Sequence, residues 1–336
     1  MTDSMRSFGL NIAGHPISKT VELCKVAEKS GFDTVWLPDE SPSPPFRDVT
    51  VAITMCLLNT SKVRVGSSIF VPYTRHPALL SVFVSSICEI GEGRVILGLG
   101  PGGSMTLMPL GLPMWDRPLV AMREAIMIVR KLLSGEKTDY EGEIFKLKGI
   151  QLPFVPRKKV PIYLAARGVK MLELAGEVAD GCILSAPEGY LGFARDTIKK
   201  GAERVGRKIE DVELVNSPSY FLSDDKKKAI DVMRSSAYFK ILDSPDVVHK
   251  KIGTDLRMIE LARKALRDGD SKRAISLISD EAVEKFTILG SSDECIEKID
   301  NQFKFGLSHI LLNLPHGVDT EEMIMKTGRE IIPAFA

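Results

Sequence analysis

The sequence predicts an α/β fold, a (β/α)8 TIM barrel with an insertion over its carboxyl-terminal face. Eight apolar segments with strand character begin near residues 8, 34, 63, 95, 160, 181, 212 and 309. Helix-like segments separate most of them, and no linker divides the 336 residues. Eight parallel strands with intervening helices close into a barrel more readily than they stay open. We therefore expect one domain over residues 1–336.

The first two βα units follow the expected alternation. Residues 8–12 predict the first strand, and Ser18 is the predicted cap of an amphipathic helix that ends at Ser30 and Gly31. Residues 34–37 predict the second strand, which runs into Pro38, Asp39, Glu40 and the proline-rich run SPSPP. Because proline continues neither kind of element, this run predicts a loop.

The second and third predicted helices, residues 49–59 and 77–90, are apolar on more than one face. A helix without a polar face is normally covered on both sides. Two such helices side by side form a self-complementary patch that suits two-fold pairing. We therefore expect a homodimer whose contact includes Ile53, Met55, Leu57, Leu58, Val82, Phe83 and Ile87.

The middle of the chain departs from simple alternation. Residues 95–99 predict a buried parallel strand that ends in the glycine-rich run from Gly100 to Gly103. Residues 104–159 contain a strong predicted helix at 118–133 and a polar, hairpin-like passage, YEGEIFKLKGIQL. We interpret residues 104–159 as the insertion over the carboxyl face, able to act as a lid.

Alternation resumes in the second half. Strands are predicted at 160–165, 181–185, 212–222 and 309–313, and helices at 169–178, 191–206, 292–305 and from 320 onwards. Ser291 or Ser292 is the expected cap of the helix before the last strand. Residues 224–289 are mainly helical and charged in pattern, so they predict a helical excursion from the barrel.

Bulk properties exclude several classes of protein. Lys and Arg number 45 against 44 Asp and Glu, so the net charge of +1 gives no argument for nucleic acid or an anionic membrane. No run approaches the roughly 20 apolar residues of a membrane span, and no signal peptide is recognisable. The five cysteines are scattered without metal-ligand spacing. We expect a cytoplasmic protein with reduced thiols and no metal.

The strand exits are where a barrel carries its chemistry, and those of the first three strands each hold candidate residues. After the third strand, small residues around Ser68 let a flat ligand approach the backbone, although an ordinary βα loop is also consistent. Asn11 could hydrogen-bond a planar ring or simply form a turn. Asp39 and Glu40 place two carboxylates at one exit, as proton carriers or as loop caps.

The fifth exit carries the most specific physical signal. Ala165, Ala166, Arg167 and Gly168 lead directly into the helix that opens at Val169. Free backbone N–H groups, the positive end of the helix dipole and a guanidinium then meet at one place, which predicts an anion site. The run GLGPGG at residues 98–103 does not match GxGxxG, so a Rossmann fold is not indicated.

Several motifs together resemble a known family. They are Gly93-Arg94 with LGLGPGG, the segment PYTRHP at 72–77, YEGE at 140–143, IYLAA at 162–166, and Ala175-Gly176 with Ala179-Asp180-Gly181. The chain is similar to the bacterial luciferase-like flavin oxidoreductases. Within them it most resembles the branch that uses the deazaflavin coenzyme F-420, which includes methylenetetrahydromethanopterin reductase.

The resemblance implies a cofactor whose tricyclic ring lies over the exits of the third and fourth strands. It implies a non-prolyl cis peptide at Ser68-Ile69 behind the ring, and a phosphate at Arg167, Gly168 and Val169. The predicted cofactor-binding residues are Asn11, Ser68, Ile69, Gly100, Gly102, Ala165, Ala166, Arg167, Gly168, Val169 and Ser185.

The chain departs from the family pattern at the proton carriers. Glu40 stands where relatives usually have histidine, and Asn11 and Gly103 stand where the reductase-like pattern has carboxylates. We therefore assign catalytic roles to Glu40 and Asp39. The resemblance implies hydride transfer between F-420 and a small organic substrate. The methylenetetrahydromethanopterin substrate of the reductase is one candidate. Two alternatives stay open, an FMN-dependent monooxygenase and a non-catalytic flavin-binding relative.

Overall fold

Eight parallel strands close into a barrel in this computed structural model, which describes residues 6–39, 45, 47–103, 107, 110–112 and 117–336. The described strands are β1 (Ser7–Asn11), β2 (Thr34–Leu37), β3 (Arg64–Ser67), β4 (Val95–Leu99), β5 (Thr138–Glu141), β6 (Lys146–Ile150), β7 (Ile162–Ala165), β8 (Gly181–Leu184), β9 (Glu213–Asn216), β10 (Ser219–Leu222), β11 (Thr287–Gly290) and β12 (His309–Asn313). The barrel runs in the order β1, β2, β3, β4, β7, β8, β9, β12, and β12 pairs with β1 to close it. The predicted fold and its eight strands are confirmed.

Helices cover the outside of the barrel. They are α1 (Ile17–Lys29), α2 (Val49–Asn59), α3 (Pro77–Cys88), α4 (Pro118–Leu133), α5 (Val169–Val178), α6 (Glu188–Arg204), α7 (Lys226–Leu242), α8 (Asp246–Ile252), α9 (Leu256–Arg267), α10 (Ser271–Leu277), α11 (Asp280–Phe286), α12 (Ser292–Lys304) and α13 (Thr320–Glu330). Ser291 caps α12 in a capping box with Glu294. Of the two serines predicted as the cap, Ser291 and Ser292, the first is therefore confirmed. The predicted cap Ser18 is wrong, because α1 already begins at Ile17 after Pro16.

The predicted strand at residues 212–222 is two strands. β9 stays in the barrel between β8 and β12, whereas β10 leaves it and pairs in parallel with β11. Pro218 separates the two strands and has no N–H group for a ladder hydrogen bond, which accounts for the break. β11 lies in the segment that we predicted as mainly helical, so the end of the 224–289 excursion contains a strand that the sequence pattern did not reveal.

The described part of the predicted insertion lies outside the barrel wall. One face of α4 joins the main core through Met122, Ile126 and Val129, so α4 is the ordinary helix that follows β4. Its other face packs against Phe145 and Leu147 of the β5–β6 region. Within the predicted 104–159 insertion, α4 therefore belongs to the barrel wall, because both of its faces are packed there. A lid role for residues 104–116, which are mostly outside the described residues, stays a prediction.

Hydrogen bonds fill the amino-terminal end of the barrel interior. The His309 ring bonds the hydroxyls of Ser7, at 2.5 Å, and Thr34, at 2.9 Å. The indole N–H of Trp36 donates to the same Thr34 oxygen at 2.7 Å. Burial, together with the nearby charge of Arg64, lowers the pKa of His309 to about 3. The His309 ring is therefore neutral, and this hydrogen-bonded end of the barrel interior leaves the opposite end for chemistry.

The five cysteines, Cys24, Cys56, Cys88, Cys182 and Cys295, are buried free thiols, as predicted. Within the described residues, no helix combines the length and the apolar character that a membrane span needs.

The neutral state of His309 predicts a pH dependence of stability. Its pKa in the folded chain lies below the ordinary value of 6.5, so its contribution is complete above pH 6.5 and is lost as the pH falls towards 3. The free energy of unfolding should fall by about 2 kcal/mol between pH 6.5 and pH 5, at about 1.4 kcal/mol per pH unit. Urea unfolding of the wild type and of His309→Gln should show a shallower decline in the variant. Parallel curves would contradict this assignment.

Candidate active site

The carboxyl-terminal mouth of the barrel has an apolar floor. An interior layer of buried side chains lies below it: Trp36, Ile96, Tyr163, Ile183, Val215 and Leu311. Ile69 and Ala165 pack on this layer and are themselves partly exposed. A Cβ atom at Gly100 would stand 2.1 Å from Ile69 Cδ1 and 3.3 Å from Ala165 Cβ. Because Gly100 has no side chain, these residues form a floor that a planar ring could cover.

The exit of β3 brings Ile69 onto this floor. Ser67 Oγ donates to the Gly98 carbonyl at 2.9 Å and accepts from the Gly98 N–H at 3.0 Å. The chain then passes through a cis peptide at Ser68-Ile69, as the resemblance implied. Phe70 N donates to the Gly98 carbonyl at 2.9 Å and resumes contact with β4. The two residues between these contacts therefore bulge into the mouth.

Two buried side-chain oxygens border the mouth without partners. Asn11 Oδ1, at the end of β1, and Ser68 Oγ, just after β3, have no hydrogen-bond partner among the described residues. The amide of Asn11 is oriented by its donation to Asn313 Oδ1 at 2.9 Å. A buried polar atom without a partner costs about 1–3 kcal/mol, so a ligand with complementary polar atoms would recover that energy. The pair fits a flat heterocycle with polar edges.

The exit of β2 is held by an ion-pair cluster. Arg75 Nε lies 2.8 Å from Asp39 Oδ2, and Arg75 Nη2 lies 2.9 Å from Asp48 Oδ2. Burial raises the pKa of Asp39, and the charge and hydrogen bonds of Arg75 offset only part of this effect. Asp39 thus ties the loop after β2 to the loop after β3. Its predicted partner in catalysis, Glu40, lies outside the described residues.

The predicted anion site lies at the start of α5. Gly168 is the N-cap residue, and no hydrogen bond from a described side chain caps the helix. No described atom lies within 4 Å of the position that a Cβ of Gly168 would take. The first N–H groups of a helix have no intrahelical acceptor, so those of α5 are open to an anion. Arg167, however, forms an ion pair with Asp243, 76 residues further on.

The remaining predicted residues lie near this rim. Gly102 makes the turn after β4 with φ +76°, next to Val71 and Leu107. Ala166 is buried and donates its N–H to the Ile183 carbonyl at 3.0 Å. Ser185 directly follows β8. Asn313, whose side-chain oxygen accepts from Asn11, was not among the predicted residues, although an asparagine at a strand end is itself a usable signal.

A comparison with known proteins identifies the family. Residues 3–309 match the model of the luciferase-like monooxygenase family. The chain belongs to this family. The luciferase-like resemblance predicted from the motifs is therefore confirmed.

Individual relatives of this luciferase-like protein are similar along its length. A 5,10-methylenetetrahydromethanopterin reductase from Methanolobus tindarius is 33% identical over 330 residues, which are 97% of this chain and 99% of the relative. One from Archaeoglobus fulgidus is 34% identical over 315 residues, 92% of this chain and 93% of the relative. A solved structure of the coenzyme F-420-dependent tetrahydromethanopterin reductase from Methanopyrus kandleri has a TM-score of 0.89 at 30% identity, covering 98% of this chain and 99% of the other.

Among the described residues, no group of three or more His, Cys, Asp or Glu side chains is placed to hold a metal ion. The polar groups of the luciferase-like mouth are instead amides, hydroxyls, backbone N–H groups, and guanidinium groups paired with carboxylates. These are groups that bind an organic cofactor through hydrogen bonds and phosphate contacts.

Proposed function

We propose that this luciferase-like protein is an oxidoreductase that moves a hydride between coenzyme F-420 and a small organic substrate. The observation that carries the proposal is the pair of unpaired buried oxygens, Asn11 Oδ1 and Ser68 Oγ, beside an apolar floor. The similarity to the coenzyme F-420-dependent reductase of Methanopyrus kandleri supports the deazaflavin over FMN.

The residues of the mouth divide into ring contacts and phosphate contacts. Ile69, Ala165 and Gly100 would support the ring from below, while Asn11 and Ser68 would bond its polar edges. The N–H groups at the start of α5 would bind the phosphate, with the Arg167 guanidinium beside them. Ala166, Gly102 and Ser185 remain predicted cofactor contacts. When bound, F-420 supplies or accepts the hydride.

The substrate candidate is a methylene group on a tetrahydropterin carrier, since the relatives from Methanolobus tindarius and Archaeoglobus fulgidus are reductases of such a compound by name. Adding a hydride to that carbon and opening the ring also consumes one proton. The two positions at which the family pattern suggests carboxylates are Asn11 and Gly103 here, so neither can deliver that proton.

Glu40 is the side chain to which we assign proton transfer. Both carboxylate oxygens of its neighbour Asp39 accept hydrogen bonds from Arg75, at 2.8 and 3.4 Å. Asp39 therefore has a structural role. A carboxylic acid whose pKa is raised by an apolar site can give and take a proton near neutral pH. The adjacent acids therefore have separate tasks, and this revises the prediction of a catalytic Asp39 into a positioning role.

Two isosteric variants should separate these tasks. Glu40→Gln should bind F-420 normally and lower turnover with the methylene-pterin substrate by about 10² to 10⁴, because it removes a proton carrier. Asp39→Asn should lower the free energy of unfolding by about 2 kcal/mol, because Arg75 loses a charged partner. Turnover is read from the absorbance of F-420 near 420 nm. Full activity of Glu40→Gln would refute its role, and absence of F-420 binding by the wild type would refute the proposed function.

We also propose a homodimer through α2 and α3. Of the predicted contact residues, Ile53, Leu57 and Ile87 are buried in the chain's own core and Phe83 packs against it, so they are unsuited to a contact. Six large apolar side chains on and beside these helices remain exposed: Val51, Met55, Leu58, Leu79, Val82 and Ile90. A group of exposed apolar side chains on two neighbouring helices is typical of a protein interface.

Leu58→Glu should convert the dimer to a monomer, since Leu58 is 57% exposed within the proposed contact and a carboxylate there would be buried unpaired. The matched control is Leu261→Glu on α9, where a leucine is 48% exposed away from the patch. Sedimentation velocity at micromolar concentration reads the outcome. A monomeric wild type, or dissociation by both variants, would exclude this interface.

We propose a cytoplasmic location, because five buried free thiols suit a reducing compartment. Fractionation of the source cells would test this location, and recovery outside the cytoplasmic fraction would contradict it.

A further inference from the structure

A negative charge stands beside the proposed phosphate site. Asp243 Oδ2 lies 2.5 Å from Arg167 Nη2, and Arg167 immediately precedes the N-cap Gly168 of α5. The side chain of Arg167 is 27% exposed and that of Asp243 is 50% exposed. An anion that binds at the start of α5 would therefore meet a guanidinium that already has a carboxylate partner.

The position of Asp243 is not explained by the stability of its own helix. Asp243 is the C-cap residue of α7, where the negative end of the helix dipole disfavours a carboxylate. A side chain that is unfavourable for its own helix indicates an interaction elsewhere in the fold. The ion pair with Arg167 is the contact that stabilises the negative charge of Asp243.

The exit of β4 leaves room for this carboxylate. A Cβ atom at Gly103 would stand 3.9 Å from Asp243 Oδ2, and no other described atom lies within 4 Å of that point. Asp243 thus bridges two strand exits of the mouth, the glycine-rich turn after β4 and the loop between β7 and α5. The charge is half exposed, so a ligand at the rim can approach it directly.

We propose that Asp243 is a specificity-determining residue that selects the charge state of the cofactor phosphate. The phosphate of F-420 is a diester with one negative charge, because the side chain continues beyond it. The phosphate of FMN is a monoester, which carries about −1.5 to −2 at neutral pH. A carboxylate beside the site repels the monoester more strongly, so this inference rests on the proposed function and explains how the mouth favours F-420.

The size of the effect follows from the exposure of the pair. Between half-exposed charges a few ångströms apart, one additional unit of charge changes the binding constant by about threefold to tenfold at low ionic strength. Salt at about 1 M shortens the screening length to roughly 3 Å and should remove most of the difference.

The test is a pair of titrations, F-420 and FMN, against the wild type and Asp243→Asn at low ionic strength. Asparagine keeps an oxygen that can accept from Arg167, so the variant removes charge and little else. We expect FMN affinity to rise about tenfold and F-420 affinity about threefold, which narrows the preference for F-420. The matched control is Asp300→Asn, whose carboxylate pairs with Arg6 at 3.1 Å next to the amino end of β1. It should change neither affinity.

The outcomes separate this inference from the proposed function. If the wild type binds F-420 and Asp243→Asn changes both affinities by the same factor or changes neither, the role of Asp243 is refuted and the proposed function stands. If the wild type binds neither compound, the proposed function is refuted and the inference falls with it. A narrowed preference that is lost at high salt supports the inference.

Discussion

The pairing of β12 with β1 is the contact on which the candidate site depends. The two strands run in register from Ser7 and His309 to Asn11 and Asn313. Closing the sheet brings the carboxyl ends of all eight strands onto one rim. As a result Asn11 and Asn313, 302 positions apart, share a hydrogen bond. In an open sheet these residues would lie at opposite edges, and the unpaired oxygen of Asn11 would face solvent.

Close approach of β3 and β4 gives the mouth its floor. A Cβ atom at Gly98 would stand 2.0 Å from the Ser67 carbonyl oxygen, so no other residue fits there without moving the backbone. Contact between the strands then resumes at Phe70 and Leu99. The residues between leave the line of the strand, and Ile69 reaches the centre of the mouth. Small residues in β4 thus have a direct consequence for what the barrel can bind.

Local sequence patterns predicted the strands and helices of the barrel. Contacts between distant segments, which build much of the site, could not be predicted in this way. The bounds of α4 and α5 follow from hydrophobic periodicity and from glycine and proline positions, which act over a few residues. The four residues of β11 directly follow a helix and carry no separate signal. At the site, the exits were predictable, but the pairs of Arg75 with Asp39 and of Arg167 with Asp243 join distant segments and arise only in the folded chain.

The central claim is that the mouth binds F-420 with its phosphate at the start of α5. Fluorescence titration of F-420 into the wild type and Gly168→Val tests it most directly. No described atom outside the adjoining residues lies within 4 Å of a Cβ at Gly168, so valine fits without a clash and covers the open N–H groups, at a small cost in stability because valine is a poorer N-cap than glycine. The account predicts saturable binding by the wild type and about tenfold weaker binding by the variant. Equal affinities for F-420 in two folded proteins would contradict it.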